Sequence, residues 1–200
     1  MLAAAILSAG ESRRMGSPKA LATFQGKTFI QHLIEATRHP RIGMVRVVLG
    51  AGAANLQQQL GLDHSQVVIN ENWPQGQLSS IQAAIRSLPE GIEGLVLCPV
   101  DHPLVPREVV GALLREFDSR GKQIVLPKYR GKRGHPVIFA SSLFPELLSA
   151  SPEIGARQVV WAHADDVLEV ETNEEGVVLN LNDPESLKRA NETYARREDA

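Results

Sequence analysis

The residues with the most chemical content lie at the start of the chain, where Met1 to Leu7 is an apolar run and Ser8-Ala-Gly-Glu-Ser-Arg-Arg-Met-Gly-Ser-Pro-Lys19 follows directly. An apolar strand that opens into a loop of small residues with two arginines and a lysine suits a polyanion. Small residues let the backbone approach the ligand, and the cations oppose its charge. The spacing is not that of the Walker phosphate loop, because Lys19 comes three residues after Gly16 and Ala20 stands where a hydroxyl is needed. A second candidate is Asp101 in Val96-Leu-Cys-Pro-Val-Asp101-His-Pro. A carboxylate after a buried strand and before a proline turn can hold a Mg²⁺ that bridges triphosphate oxygens. Asp-x-Pro also shapes turns without any ligand, and the neighbouring phosphate-type loop favours the metal.

Two further segments carry polar groups in suggestive order. In Trp73-Pro-Gln-Gly76-Gln-Leu-Ser79-Ser80 a glycine turn precedes two hydroxyls at a helix start. These could read a base or ribose, and serine is equally an ordinary N-cap. In Tyr129-Arg-Gly-Lys-Arg133-Gly134-His135-Pro136-Val137, three cations in a glycine-punctuated loop suit a phosphorylated acceptor. Arg130 and Lys132 read better as a solvated hairpin. Leu49-Gly-Ala-Gly-Ala-Ala-Asn55 imitates a dinucleotide fingerprint but has Asn55 in place of the third glycine and follows a second strand, so a glycine-rich turn is expected. His32, His39, His64 and His163 lack metal-ligand spacing. Cys98, inside a strand, reads as packing.

These residues need a scaffold. Strands are expected at Leu2 to Leu7, Val45 to Leu49, Gln66 to Ile69, Leu95 to Cys98, Gln123 to Leu126, Pro136 to Phe139 and Val167 to Val170. Helices are expected near Phe29 to Thr37, Ala53 to Leu60, Leu78 to Leu88, Arg107 to Phe117 and Pro184 to Arg196. The alternation predicts an α/β fold, a mostly parallel sheet with helices on both faces. Ligands in such sheets collect at the carboxyl ends of the strands, where the candidate segments fall. No linker or repeat divides the chain, so residues 1–200 are expected to form one domain, with a charged tail fraying from about 195.

Composition sets bounds. A net charge of -2 gives no support for bulk nucleic-acid binding. A single cysteine excludes an intramolecular disulfide and a cysteine metal cage. The N-terminal apolar run lacks a basic n-region, and no apolar stretch approaches the ~20 residues that cross a bilayer. A cytoplasmic protein without a membrane partner is expected.

The first loop, Leu-x-Ala-Gly-x-Ser-x-Arg-Met-Gly-x-x-Lys, resembles the signature of MobA-like NTP transferases. Arg133-Gly-His-Pro-Val137 is similar to the acceptor motif of the molybdenum-cofactor cytidylyltransferases within that family, as is Gly155-Ala-Arg157, although the Gly-Asp that precedes it there is absent. The Gly76-x-x-Ser79-Ser80 loop resembles cytidylyl rather than guanylyl members, which carry Gly-Pro-Leu-Ala-Gly. Asn180-Leu-Asn182-Asp-Pro-Glu-Ser-Leu187 resembles the closing motif, with asparagine at both positions where relatives often have aspartate. An amide oxygen is a neutral, weaker Mg²⁺ ligand than a carboxylate.

The resemblance implies a Rossmann-like nucleotide-diphospho-sugar transferase fold that uses CTP and Mg²⁺. The acceptor it implies is a molybdenum-bearing molybdopterin, and a molybdoenzyme would receive the product. Arg14 and Lys19 would face the triphosphate, with Arg13 as helper, and the backbone of Ala9, Gly10, Glu11 and Ser12 would cradle phosphate oxygens. Asp101 and Asn182 would hold the metal. Gly76, Ser79 and Ser80 would meet the nucleoside, and Arg133, Gly134, His135, Pro136 and Arg157 the acceptor. Two other readings stay open: transfer to a sugar- or alditol-phosphate, and a module that holds the molybdenum cofactor without catalysis.

Overall fold

Residues Leu2–Ser8 are all buried and form the central strand β1. Their side chains alternate between two cores, as a strand's period of two requires. Leu2, Ala4 and Ile6 point to one face with Phe29, Leu33, Val110 and Leu113. Ala3, Ala5 and Leu7 point to the other with Leu78, Ile81, Ala84 and Leu147. Small alanines there let a helix lie close to the sheet. The computed structural model describes residues 1–12 and 14–198.

After β1 comes a two-stranded ribbon, β2 (Thr23–Phe24) and β3 (Lys27–Thr28). Next are α1 (Phe29–Ala36), β4 (Ile42–Leu49), α2 (Ala53–Leu60), β5 (Val67–Ile69), α3 (Gln77–Arg86) and β6 (Gly94–Pro99). The second half runs α4 (Arg107–Arg120), β7 (Ile124–Tyr129), β8 (Lys132–Arg133), β9 (Val137–Ala140), α5 (Phe144–Ser149), α6 (Arg157–Ala162), β10 (Val167–Glu171) and α7 (Pro184–Glu198). The main sheet has the order β10-β7-β9-β6-β1-β4-β5, with β8 paired to β7. Strands β6, β1, β4 and β5 are parallel. Strand β9 runs antiparallel to both β6 and β7.

The expected α/β architecture is therefore present, and every expected strand and helix has a counterpart. The structure adds α5, α6, the β2–β3 ribbon and β8. Helix starts follow local chemistry. Thr28 and Gln31 make a reciprocal capping box on α1, with Gln31 N–H donating to Thr28 Oγ1 and Thr28 N–H to Gln31 Oε1.

The C-terminal segment is laced to the site by two glycines. A Cβ on Gly134 would come within 2.5 Å of the Val177 carbonyl oxygen, and one on Gly176 would overlap the Leu104 carbonyl oxygen. Both obstacles are backbone, so neither can swing aside. Gly176→Ala is expected to destabilise the fold by about 1–3 kcal/mol, as overpacking does. A lowered urea midpoint at unchanged slope would show it.

Candidate active site

The site lies at the carboxyl ends of β1 and β6, where the chain turns away from the sheet. Val100 N–H donates to the Leu7 carbonyl and aligns the two strand ends. A cleft of about 250 Å³ opens there, lined by Ala9, Gly10, Ser12, Lys19 and Asp101 together with Trp73, Gly76, Gln77 and Ser80.

The loop after β1 is built to present Lys19. Ser12 adopts φ +55°, a left-handed conformation uncommon for serine. Its carbonyl accepts from Met15 N–H at 2.9 Å and its Oγ accepts from Lys19 N–H at 3.0 Å. Gly10 has open space where a Cβ would stand, so the fold itself does not require its smallness. Gly50 is different: a Cβ there would meet Ala9 O at 2.5 Å and Trp73 at 2.7 Å. The glycine-rich turn after β4 is thus a packing device, as expected. Arg14 is exposed and does not line the cleft. Glu11 is exposed on the same loop. Arg13 lies outside the described residues.

Asp101 and Asn182 are far apart in sequence, yet one cation touches both. Lys19 Nζ is 3.4 Å from Asp101 Oδ2 and donates a hydrogen bond to Asn182 Oδ1. Leu181 N–H donates to the Asp101 carbonyl at 2.8 Å, which brings the closing motif to the end of β6. Asp183 then caps α7, accepting from Ser186 N–H at 2.8 Å. That backbone N–H, the Ser186 hydroxyl and the more distant Arg189 and Arg14 hold the Asp183 carboxyl below its ordinary range. Asp101 and Asn182 thus present two hard oxygens to one point. The described residues include no group of three or more His, Cys, Asp or Glu placed to hold a metal. This donor set fits Mg²⁺, which is commonly held by one or two carboxylates together with phosphate oxygens and water.

Ser79, expected to meet the nucleoside, is hydrogen-bonded within the fold. Its Oγ donates to the Gly76 carbonyl and accepts from Asn70 Nδ2, both at 2.8 Å, while Ser80 Oγ accepts from Asn70 Nδ2 at 3.0 Å. Asn70 is 3% exposed. The paired serines satisfy a buried amide, and only Ser80 of the two borders the cleft. Ser79→Ala should leave that amide short of a partner and cost about 1–3 kcal/mol in denaturant unfolding, with the KM for nucleotide little changed. Gly76, at φ +96° and ψ −176°, holds a conformation that is essentially reserved for glycine.

A second cleft of about 330 Å³ adjoins the first and shares Leu7, Gln77 and Pro99 with it. Its far wall includes His135, Ile154, Gly155 and Arg157. Arg157 Nε donates to the Ile154 carbonyl at 2.8 Å, which steadies the guanidinium at the rim. His135 packs against His102 in a tilted arrangement, with ring centroids 4.6 Å apart and ring planes at 55°. Both Nδ1 atoms are sealed from solvent without a partner among the described residues. Burial, aided by the neighbouring His102, pushes His135 down to about 4, with Asp101 opposing. His102 is also pushed down by burial and by Lys19, against Asp101. His102 escaped the reading of the sequence, where Asp-His-Pro was the available signal. Trp73 and Gln77 were likewise given no individual role.

Arg133, expected to face the acceptor, is engaged by a carboxylate in this structure. It sits on β8, exposed, with Nε 2.7 Å from Glu169 Oε1, and lines neither cleft. Lys128 shares the same carboxylate at 2.7 Å. Gly134 and His135 are held through the backbone: Gly134 N–H donates to Pro127 O and His135 N–H to Val177 O, each at 2.8 Å. The His135–Pro136 bond is cis. Cys98 is buried and its thiol is pushed up to about 12 by desolvation, in keeping with a packing role. His32 and His163 make local contacts, with the Phe24 carbonyl and the Glu146 carboxylate respectively.

The sequence matches, over residues 4–167, the family described as the MobA-like NTP transferase domain. The chain belongs to this family. A relative that spans nearly its whole length is the molybdenum cofactor guanylyltransferase of Cereibacter sphaeroides, 32% identical over 192 residues, covering 92% of this chain and 93% of that protein. The nicotine blue oxidoreductase of Paenarthrobacter nicotinovorans is 29% identical over 161 residues, covering 76% and 78%. The full-length relative is thus a guanylyltransferase, not the cytidylyltransferase that the motifs of this chain resemble.

Among solved structures, Rv0371c of Mycobacterium tuberculosis superposes with a TM-score of 0.81 at 23% identity, over 96% of this chain and 99% of that one. The same protein has been crystallised with manganese. At this identity the likeness is one of fold, the nucleotide-diphospho-sugar transferase-like α/β fold. As a MobA-like family member, the chain is a nucleotidyltransferase. No helix among the described residues is long and apolar enough to cross a membrane.

Proposed function

We propose that the protein transfers CMP from CTP to the phosphate of a molybdenum-bearing molybdopterin, releasing pyrophosphate. The observation that carries this reading is the pair of adjoining clefts: Lys19 and Asp101 line one, His135 and Arg157 line the other, and both share Leu7, Gln77 and Pro99. Such a pair can hold a donor and an acceptor against one another.

The acceptor phosphate oxygen attacks the α-phosphorus in line, forming one P–O bond as the bond to the β-phosphate oxygen breaks. A phosphate monoester is already largely ionised near pH 7, so no general base is required. The difficulty is approach of two anions, and positioning with electrostatic stabilisation answers it. Lys19 supplies a positive charge at the phosphate end. The open backbone around Gly10 lets phosphate oxygens come close. Ser80 and Gln77 border the nucleoside end, with the aromatic ring of Trp73 as a wall. His135, neutral near pH 7, offers a hydrogen-bonding ring without charge to the acceptor, and Arg157 a guanidinium. Asp101 and Asn182 would hold Mg²⁺, which screens charge on the phosphates when bound. Arg14 stands at the loop's outer edge, within electrostatic reach of Asp183, and would meet the triphosphate from there.

CTP rests on the resemblance of Gly76-x-x-Ser79-Ser80 and Arg133-Gly-His-Pro-Val137 to the cytidylyl members. GTP is the second reading, favoured by the full-length guanylyltransferase relative. Pyrophosphate release with Mg²⁺, molybdenum-loaded molybdopterin and each of CTP, GTP, ATP and UTP separates them. Release with CTP alone is expected. Release with GTP alone would overturn the base assignment and keep the transfer. Release with none would overturn the acceptor.

A further inference from the structure

The Lys19 ammonium occupies the point at which two expected metal ligands meet. It lies 3.4 Å from Asp101 Oδ2 and is hydrogen-bonded to Asn182 Oδ1, with its side chain 15% exposed. Its backbone is anchored separately, through the Ser12 hydroxyl and the short turn Lys19–Leu21 with its buried Ala20. The ammonium therefore sits at the end of a flexible four-carbon stem whose root is fixed. The oxygen pair carries one formal negative charge, that of Asp101, and Lys19 neutralises it. A divalent ion on the same two oxygens would stand against the ammonium at contact distance, where like charges repel strongly.

We propose that Lys19 is the resident cation of the Asp101–Asn182 pair, and that a divalent metal replaces it only when a nucleoside triphosphate brings the metal and receives the released ammonium on its phosphates. This rests on the nucleotidyltransferase reading above. One lysine then serves both roles in turn: it closes the metal pair in the free protein and grips phosphate in the complex. Metal and nucleotide must bind with positive coupling, and the coupling is reciprocal.

The test needs neither acceptor nor turnover. Free Mn²⁺ is followed by its electron paramagnetic resonance signal during titration of the protein alone, and again with CTP or GTP present. The wild-type protein is expected to bind Mn²⁺ weakly alone. Lys19→Met and Lys19→Gln are expected to bind it about tenfold tighter or more without nucleotide, within the usual span of such couplings, and to gain less from added nucleotide. Lys19→Arg keeps the charge and is expected to stay weak. Adding Asn182→Ala to Lys19→Met should remove most of the gain.

Circular dichroism and thermal unfolding identify folded variants. If folded Lys19→Met and Lys19→Gln bind Mn²⁺ no tighter than wild type, the exchange is wrong and the transferase reading stands. If neither nucleotide raises the affinity of the wild-type protein for Mn²⁺, delivery by nucleotide is wrong and the transferase reading falls with it.

Discussion

Asp101→Ala is expected to lower the rate of pyrophosphate release by ~10²–10³-fold, the usual loss when one preorganised electrostatic contact is removed. Asp101 carries the formal charge of the oxygen pair; its partner Asn182 is neutral. Removing the carboxylate weakens the metal position and frees the Lys19 ammonium, so two positioned charges are disturbed by one substitution. The scaffold should survive, because Leu181 is tied to the backbone carbonyl of Asp101 and not to its side chain. A retained circular dichroism spectrum with lost turnover at saturating substrates is therefore the expected result. Near-normal turnover would remove Asp101 from the reaction.

The second large effect concerns pH. His135 is neutral in the folded protein down to about 4, held there by burial first and by His102 next. In the unfolded chain an imidazole titrates near the ordinary value of about 6.5. Between these values the unfolded chain takes up a proton that the folded protein refuses, so acid favours unfolding. Stability is full above about pH 6.5 and falls as the pH drops toward 4, by on the order of 3 kcal/mol for this group. His102 adds loss of the same sign, since burial lowers it as well. Urea unfolding of the wild type and of His135→Asn at a series of pH values would measure the difference. A slope between pH 6.5 and 4 that the substitution leaves unchanged would assign the acid loss elsewhere.

How much of this was legible in the sequence depends on how local each signal is. The loop from Ser8 to Lys19 announces itself because small residues and cations sit in one stretch after an apolar strand. The core strands were visible for the same reason. The direction of β9 was not: a strand buried on both faces reads as one apolar run whichever way it lies. Helices α5 and α6 are six residues each, too short to show a helical period.

Side-chain contacts are hardest to read from sequence where the partner is distant along the chain. Ser79 is expected at the nucleoside, and its hydrogen bond with Asn70, buried at the end of β5, has no local signal in the sequence. Arg133 is expected at the acceptor, and its ion pair with Glu169 on β10 joins residues 36 apart in sequence, which no local pattern shows. For His102 the sequence offers only Asp-His-Pro, because its neighbour His135 is brought to it by the antiparallel return of β9. By contrast, the pairing of Asn182 with Asp101 was expected from the closing motif, and the tie from Leu181 explains how it is achieved.

That tie has a consequence for the time course of synthesis. A ribosome delivers β1, the phosphate-type loop and β6 early, so most of the nucleotide cleft exists in a half-made chain. Asn182 and its cap Asp183 come only with the start of α7, the helix whose Tyr194 lies edge-on to Phe24 at 5.4 Å. The last helix thus covers an apolar surface left by the earliest segments and sets the second oxygen of the metal pair in the same event. A nascent chain that has reached only residue 180 can fold much of its sheet yet lacks the ligand that completes the site. The oxygen pair closes only once residues 180–183 are in place beside Asp101.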